Sequence, residues 1–162
     1  MDTLEKSKIL IMSKISVSIV LHNTNKDELN EVIRSCINSS ISLDVFLIDN
    51  SPNNRLSYIK NNNRINYLKV NNNGFGAGHN EAIIRNKLIE KYDYHIVINP
   101  DISFNKKVIE NIFCFMEKNK DIGVIMPKVL NIDKSLQYAR RLLPSPLNIF
   151  IKRFFKKLSY KT

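Results

Sequence analysis

Short apolar runs alternate with helical patterns along most of this sequence, and that alternation limits the folds open to it. The runs have the length and β-branched content of buried strands. Parallel strands joined by helices require right-handed crossovers, which place helices on both faces of a mostly parallel sheet. The pattern therefore predicts a doubly wound α/β domain, with strands at residues 15–21, 43–48, 65–70, 96–98 and 122–126.

Two of the predicted helices carry an apolar stripe that would face this sheet. The first begins at an N-cap, either Thr24 or Asn25, since both side chains can accept a hydrogen bond from the first helical turn. A shorter helix is predicted at residues 56–60. The stripes consist of Leu29, Val32, Ile33, Cys36 and Ile37 in the first helix and of Val108, Ile109, Ile112, Phe113 and Met116 in the second.

Composition places the chain among soluble, cytoplasmic, single-domain proteins. It has 162 residues, 43% of them hydrophobic, and no apolar run of membrane-spanning length. Its first 13 residues lack the form of a secretory signal. Cys36 and Cys114 fall on the apolar sides of predicted helices, so we expect buried, reduced thiols and neither a disulfide nor a zinc site.

The net charge of +10 is concentrated near the end of the chain. From Lys128 onward there are nine basic residues and a single acidic one, Asp133, so this segment carries +8 and the preceding residues only +2. A nucleic-acid-binding domain would instead show basic residues on its folded face with aromatic residues between them. Nucleic acid is therefore not an expected partner.

A candidate metal ligand follows the fourth predicted strand. Pro100 ends the apolar run because it has no amide hydrogen to donate to a sheet, which leaves Asp101 at the strand's carboxyl edge. Ligands bind at that edge in open α/β sheets, and a carboxylate with an amide, Asn99, two residues earlier suits a hard divalent cation. The alternative is that Asp101 caps the helix beginning near residue 106 or closes a turn.

A glycine-rich segment, residues 71–80, reads NNNGFGAGHN and leads into a helix that runs to about residue 91. It holds three of the chain's four glycines, which would let the backbone take positive φ angles and approach a phosphate. This segment does not match a dinucleotide-binding fingerprint, because that motif has G-x-G-x-x-G spacing and follows the first strand. A P-loop is excluded because no Gly-Lys-Ser or Gly-Lys-Thr follows.

Five motifs in sequence order resemble the nucleotide-binding half of a family 2 glycosyltransferase with the GT-A fold. They are LHNT at 21–24, DNSP at 49–52, NNGFGAGHNEAI at 72–83, INPDISF at 98–104 and RRLLPSPL at 140–147. The resemblance extends from about residue 15 to residue 155. It is closest to the rhamnosyltransferase-like branch, which builds cell-surface polysaccharides. It implies inverting transfer of a sugar, with rhamnose as one candidate, from a UDP- or dTDP-linked donor to a glycan or lipid-linked acceptor.

The resemblance also implies roles for individual residues. Asp49 would accept a hydrogen bond from the imide N–H of uracil or thymine, and Asp101 would bind Mg²⁺ or Mn²⁺ bridging the diphosphate. Asn99 stands where the family's Asp-x-Asp metal motif has an acidic residue, and would contact a ribose hydroxyl or ligate weakly. The other implied contacts are Leu21, His22 and Asn23 along the base, Gly74, Gly78 and Asn80 near the nucleotide, and Arg140 and Arg141 at the diphosphate.

Each role has a structural alternative. Asp49 can form an Asx-turn with Ser51, and the two arginines can be solvated surface charges. We interpret His22 and His79 as hydrogen-bonding residues rather than catalytic ones. His95 is expected to lie on the flank of a strand without a chemical role.

The general base of an inverting transferase has no counterpart in the sequence. In the family this Asp or Glu follows the arginine segment, but here the late carboxylates, Glu117, Asp121 and Asp133, do not match its position. We therefore interpret the chain as the amino-terminal part of a transferase, truncated before the acceptor-binding half. It would be either an active transferase or a donor-binding remnant.

The predicted domains are an N-terminal extension (residues 1–14), a nucleotide-sugar-binding GT-A domain (15–144) and a basic amphipathic helix (145–162). That last helix has an apolar stripe opposite four cations, which suits either an anionic membrane surface or packing against an acceptor-binding half. A peripheral place at the inner face of the plasma membrane follows from the first reading. The competing function class is accordingly a non-catalytic module that binds membrane or partner surfaces.

Overall fold

The computed structural model describes residues 14–53, 56, 59, 61 and 63–137. The chain divides into two compact units, residues 1–121 and 122–162. All the regular elements described below belong to the first unit. Its strands are β1 (Ile15–Leu21), β2 (Leu43–Asp49), β3 (Ile65–Lys69) and β4 (Tyr94–Ile98), and its helices are α1 (Lys26–Ile37), α2 (Phe75–Arg85), α3 (Leu88–Lys91) and α4 (Val108–Lys118).

The four strands form one parallel sheet in the order β3-β2-β1-β4. β1 lies inside the sheet and pairs with β2 along its whole length, from Ile15 opposite Leu43 to Leu21 opposite Asp49. The strand ends of β1, β2 and β3 therefore reach the same edge. The predicted parallel α/β architecture is confirmed, and this edge is the one at which such sheets bind ligands.

Helices cover both faces of the sheet. On one face the inward side chains of β1 and β2 pack against α1 and α4, through Leu29, Val32 and Cys36 of α1 and Ile109 and Phe113 of α4. On the other face α2 and α3 form a smaller cluster, made of Val20, Phe46, Ile48, Ala82 and Leu88. Because β1 and β2 are buried from both sides, their sequences are nearly continuous apolar runs.

The start of α1 follows directly from its sequence. Asn25 is the N-cap, and its Oδ1 accepts a hydrogen bond from the Asp27 amide at 2.8 Å. Asp27 and Glu28 lie in the first turn, where the helix dipole favours negative charge. The predicted N-cap is thus confirmed, with Asn25 rather than Thr24 in that role. Cys36 is buried, as predicted, whereas Cys114 is only half-buried; both are free thiols.

β4 is only partly buried, contrary to the prediction of a buried strand. Among the described strands it lies at the edge of the sheet with β1 as its one neighbour, and Val97 is 53% exposed. In this strand Ile98 is buried, Tyr94, His95 and Ile96 are partly buried, and Val97 is exposed. The structure thus places Asn99 and Asp101 after an edge strand.

The glycine-rich segment is mostly helix, so the predicted glycine loop is wrong in part. α2 begins at Phe75, and only Gly74, its N-cap, has a positive φ, of 100°. Gly76 and Gly78 lie within the helix. The predicted continuation to residue 91 is interrupted at Lys87, which takes a left-handed conformation with φ of 50° before α3.

Gly78 is required for close packing of α2 on β1. A Cβ at this position would lie 2.7 Å from Cγ2 of Val20, whose β-branched side chain has little freedom to move. At Gly76 an added Cβ meets nothing within 4 Å.

We expect Gly78→Ala to lower the free energy of unfolding by about 1–3 kcal/mol, the usual cost of overpacking. Gly76→Ala is the matched control and should be neutral or stabilise the chain by about 0.5–1 kcal/mol, because alanine is a better helix former. Urea unfolding followed by circular dichroism measures both. Equal stability of the two variants would contradict this packing role.

Residues 122–126 do not form the predicted fifth strand. Val124 is 89% exposed, and the β-pairing described in residues 122–137 is a single antiparallel bridge between Leu130 and Leu136. An apolar run forms a strand only where another backbone pairs with it, and this run has none among the described residues. The predicted helix at 145–162, most of the extension at 1–14, and most of the short helix at 56–60 lie outside the described residues.

Candidate functional site

A polar groove of about 650 Å³ lies at the carboxyl ends of β1, β2 and β3. His22 follows the first strand, Asn50 and Ser51 follow the second, and Asn71 and Asn72 lie in the segment after the third. The groove takes its remaining lining from Pro52, Lys69, Val70 and Arg85. Of these nine lining residues only His22 was among the predicted site residues, although Asn71 and Asn72 belong to the glycine-rich segment.

Asp49 lies beneath the groove and is fully buried. Its Oδ1 accepts a hydrogen bond from the Ser51 amide at 2.9 Å, and its Oδ2 accepts from Tyr67 Oη at 2.7 Å and Lys69 Nζ at 3.1 Å. Burial alone would raise the pKa of this carboxyl, but the hydrogen bonds from Ser51, Tyr67 and Lys69 outweigh it and lower the pKa. Asp49 is therefore an ionised anchor, and the Asx-turn with Ser51 is present.

The direct base contact implied for Asp49 stays a prediction. Three hydrogen bonds already occupy its oxygens, and the carboxylate has no exposed surface in this structure. Contact with a ligand would require the segment after β2 to move.

A line of amide groups crosses the groove floor. Asn50 Nδ2 donates to Asn72 Oδ1 at 3.3 Å, and the same oxygen accepts the Gly74 amide at 3.1 Å. His22 Nδ1 lies 3.1 Å from Asn50 Oδ1 and 3.4 Å from the Asn50 carbonyl oxygen. Both of those oxygens can only accept, so Nδ1 carries the hydrogen. His22 therefore makes hydrogen bonds, as predicted, and its contact with a base stays a prediction.

The groove offers hydrogen-bonding groups, and its charged side chains are paired with opposite charges of the protein. Among the described residues, no carboxylate lines the groove, and its two cations, Lys69 and Arg85, are paired with Asp49 and Glu81. Amide donors and acceptors without a net charge suit a neutral polar ligand, such as a pyrimidine base and its ribose, better than a phosphate.

Two other histidines form a polar cluster with serines of β1. Ser18 Oγ lies 2.7 Å from His79 Nδ1 and 2.8 Å from His95 Nε2, and Ser16 Oγ lies 2.8 Å from His95 Nδ1. His79 is 5% exposed, and its Nε2 has no hydrogen-bond partner among the described residues. Burial and the neighbouring His95 lower the pKa of His79 to about 4, and burial lowers the pKa of His95. Both imidazoles are neutral at pH 7, and the prediction that His79 is a hydrogen-bonding residue is confirmed.

Asn99 and Asp101 lie at the same edge of the sheet but outside the groove. They follow β4, which flanks β1 on the side opposite β2, and both are exposed. Asp101 lies in a turn and does not cap α4, whose N-cap is Lys107.

An exposed carboxylate at this edge fits a hard cation, for which a diphosphate would supply further oxygen ligands. No group of three His, Cys, Asp or Glu side chains in the described part of the chain holds a metal by itself.

The remaining predicted site residues fall in different surroundings. Leu21 is buried in the core, so its backbone rather than its side chain reaches the edge, where its carbonyl accepts the Asn50 amide at 3.0 Å. Gly78 packs on Val20, and Asn80 is exposed on α2. Arg140 and Arg141 lie outside the described residues.

A family model described as Glycosyl transferase family 2 matches residues 16–162. No curated protein matches the sequence significantly. No helix among the described residues is long and apolar enough to cross a membrane.

The chain is similar to crystal structures of S. aureus TarS. For TarS 1-349 the TM-score is 0.50 at 18% identity, covering 66% of this chain and 33% of that chain. For TarS 1-349 in complex with UDP-GlcNAc the TM-score is 0.50 at 16% identity, covering 75% of this chain and 41% of that chain. For TarS 1-349 in complex with UDP the TM-score is 0.50 at 16% identity, covering 75% of this chain and 43% of that chain. Identity this low supports the fold alone, and the GT-A-like fold is confirmed. This chain spans less than half the length of those TarS chains.

Proposed function

This chain belongs to glycosyl transferase family 2, and we propose that it binds a nucleoside-diphosphate sugar and transfers the sugar to an acceptor. The observation that carries this proposal is the groove at the carboxyl ends of β1, β2 and β3. A parallel α/β sheet binds its ligands at that edge, and the groove is lined with amides rather than carboxylates. Its neutral, hydrogen-bonding character supports the nucleoside end of the donor as the occupant.

The diphosphate would then extend across the end of β1 toward β4. Neighbouring strands lie about 4.8 Å apart, so β2 and β4 are separated by roughly 10 Å, a span that a nucleoside diphosphate can bridge. That direction leads from the groove toward Asn99 and Asp101. Gly74 is the N-cap of α2, whose first-turn N–H groups lack intrahelical acceptors and suit a phosphate.

Asp101 would hold a divalent cation, Mg²⁺ or Mn²⁺, with Asn99 as a weaker ligand. The bound cation would stabilise the negative charge on the leaving nucleoside diphosphate. Asp49 would fix the floor of the groove, and a base imide would reach its carboxylate only if the overlying segment moved. Arg140 and Arg141 would add positive charge at the diphosphate.

The finer assignments follow the sequence resemblance. The donor would be UDP- or dTDP-linked, with rhamnose as a candidate sugar, and transfer would invert the anomeric centre. A glycan or a lipid-linked intermediate of a cell-surface polysaccharide would be the acceptor, and an acceptor reached at the membrane would suit a peripheral protein. We assign no general base.

Isothermal calorimetry of the 162-residue chain with UDP and with dTDP tests the donor proposal. We expect binding in the presence of Mn²⁺ that weakens by about tenfold or more in EDTA and in Asp101→Ala, because a hydrogen bond or contact involving a charged group contributes about 1.5–3 kcal/mol. Asp121→Ala, which removes another exposed carboxylate, is the matched control and should bind as the unchanged chain does.

The two parts of the proposal fail separately. Binding that is unaffected by both EDTA and Asp101→Ala would refute the metal assignment and leave the nucleotide groove standing. The absence of binding to either nucleotide at millimolar concentration would refute the donor proposal itself.

A further inference from the structure

Lys69, the last residue of β3, makes contacts that the glycosyltransferase resemblance did not lead us to expect. Its ammonium donates to Asp49 Oδ2 at 3.1 Å, to the Ser51 carbonyl oxygen at 2.5 Å and to the Asn53 carbonyl oxygen at 2.7 Å. All three acceptors belong to the end of β2 or to the segment that follows it. Lys69 therefore ties β3 to residues 51–53, of which Ser51 and Pro52 line the groove.

These contacts use the whole donor capacity of Lys69. A lysine ammonium has three N–H donors and no acceptor, and each of the three has a partner within the protein. Its charge is paired with the buried Asp49, although 35% of the Lys69 side chain is exposed in the groove. A direct ion pair with a ligand phosphate would require at least one of these hydrogen bonds to break.

The segment held by Lys69 continues to the end of β1. Ser51 Oγ accepts the Asn23 amide at 2.8 Å, and Asn53 Nδ2 donates to Asn23 Oδ1 at 3.3 Å. Asn23 has a left-handed conformation with φ of 52°, which is uncommon for a residue other than glycine and is held here by these two bonds. One ammonium thus connects the ends of three strands, and all three strand ends line the groove.

We infer that Lys69 is a positioning residue for nucleoside binding, which acts by holding residues 51–53 and Asn23 in the shape that the base and ribose enter. This inference rests on the proposed function, since it assigns a role within the same groove. It distinguishes two uses of a lysine in a nucleotide site. A lysine that contacts phosphate contributes only to ligands with phosphate, whereas a lysine that shapes the nucleoside pocket contributes equally to uridine and to UDP.

The test compares uridine and UDP as ligands of the unchanged chain, Lys69→Met, Lys69→Arg and a control, Lys91→Met. Methionine keeps much of the apolar stem without the ammonium, arginine keeps the charge and donors, and Lys91 is an exposed lysine at the end of α3. Dissociation constants are measured by calorimetry well below each variant's unfolding temperature. A purely structural role of Lys69 would lower that temperature without changing affinity of the folded chain.

We expect Lys69→Met to weaken uridine and UDP by the same factor, about tenfold, with partial recovery in Lys69→Arg and no change in Lys91→Met. Ser51→Ala breaks the same chain of bonds at the next link without changing charge, and should also weaken the two ligands equally. It serves as the test if Lys69→Met does not fold.

Three results would overturn the inference. A much larger loss for UDP than for uridine in Lys69→Met would show a phosphate contact. Unchanged affinity for both ligands in Lys69→Met, or in Ser51→Ala if only that variant folds, would remove the positioning role while leaving the proposed function intact. If the unchanged chain binds neither uridine nor UDP, the proposed function fails and this role fails with it.

Discussion

Replacement of Asp49 by alanine is expected to lower the free energy of unfolding by about 3 kcal/mol at pH 7. The carboxylate has no exposure, and its loss leaves Lys69, Tyr67 and the Ser51 amide without their shared acceptor. Removing one partner of a buried ion pair costs about 3–5 kcal/mol. We expect a cost at the lower end of this range because 35% of the Lys69 side chain is exposed to solvent. Urea unfolding followed by circular dichroism measures the difference.

Two further variants separate the contributions at Asp49. Tyr67→Phe removes one hydrogen bond and should cost only about 1 kcal/mol. The double variant Asp49→Ala with Lys69→Met should cost less than the two single losses together, because neither charge is left unpaired. An Asp49→Ala chain within about 0.5 kcal/mol of the original would contradict the anchoring role.

The same anchor should respond to strong acid. Because the folded chain lowers the pKa of Asp49, the stabilisation is present above the unfolded-state pKa of about 3.9 and is lost as the pH falls through the lower folded value. This contribution therefore begins to decline near pH 4 and is gone only below the folded-state pKa.

His79 is expected to make the chain less stable in mild acid, by about 3 kcal/mol between pH 7 and pH 4. Burial lowers its pKa from 6.5 to about 4, so in this range the unfolded chain binds a proton that the folded chain does not. Stability is then complete above about pH 6.5 and falls as the pH approaches 4. The direction is opposite to that for a histidine paired with a carboxylate.

The test is the pH dependence of urea unfolding in the unchanged chain and in His79→Asn. Asparagine can retain a hydrogen bond to Ser18 but does not titrate, so the slope between pH 6.5 and 4.5 should become much smaller. Some slope should remain because the pKa of His95 is also lowered by burial. Parallel curves for the two chains would show that His79 is not the buried titrating group.

The centre of the fold was predicted well because its sequence features are continuous apolar runs and contacts between neighbouring residues. β1 and β2 are covered on both faces, so ten of their fourteen residues are apolar and their extent is visible in the sequence. The N-cap at Asn25 depends on one side chain and the amide two residues later, which again is a local matter. Short-range chemistry was sufficient for these features.

Features that depend on distant neighbours were predicted less well. The runs at 94–98 and 122–126 look alike in sequence, but the first pairs with β1 while the second has no strand partner among the described residues. Gly78 was assigned to a ligand loop, although its role depends on the position of Val20, which is 58 positions earlier in the chain. Composition does not distinguish a glycine needed for packing from one needed for a turn.

One signal for the missed part of the site was present in the sequence. Tyr67 and Lys69 are two residues apart in a strand, so both side chains lie on the same face. The register of the sheet pairs Lys69 with Asp49, which brings the lysine to the carboxylate. That register, and hence the role of Lys69, required the folded strands.

The central claim is that the groove receives a nucleoside diphosphate. It is tested most directly by following the amide NMR shifts of the full chain during titration with UDP. Mg²⁺ takes the place of Mn²⁺ in this experiment because it is diamagnetic. The account predicts the main shifts at the amides of Asn23, Asn50, Asn72 and Gly74. A second groove of about 620 Å³, which includes Arg34 and Phe104 in its lining, serves as an internal control and should show no shifts. Shifts confined to that second groove, or no shifts at saturating UDP, would contradict the claim.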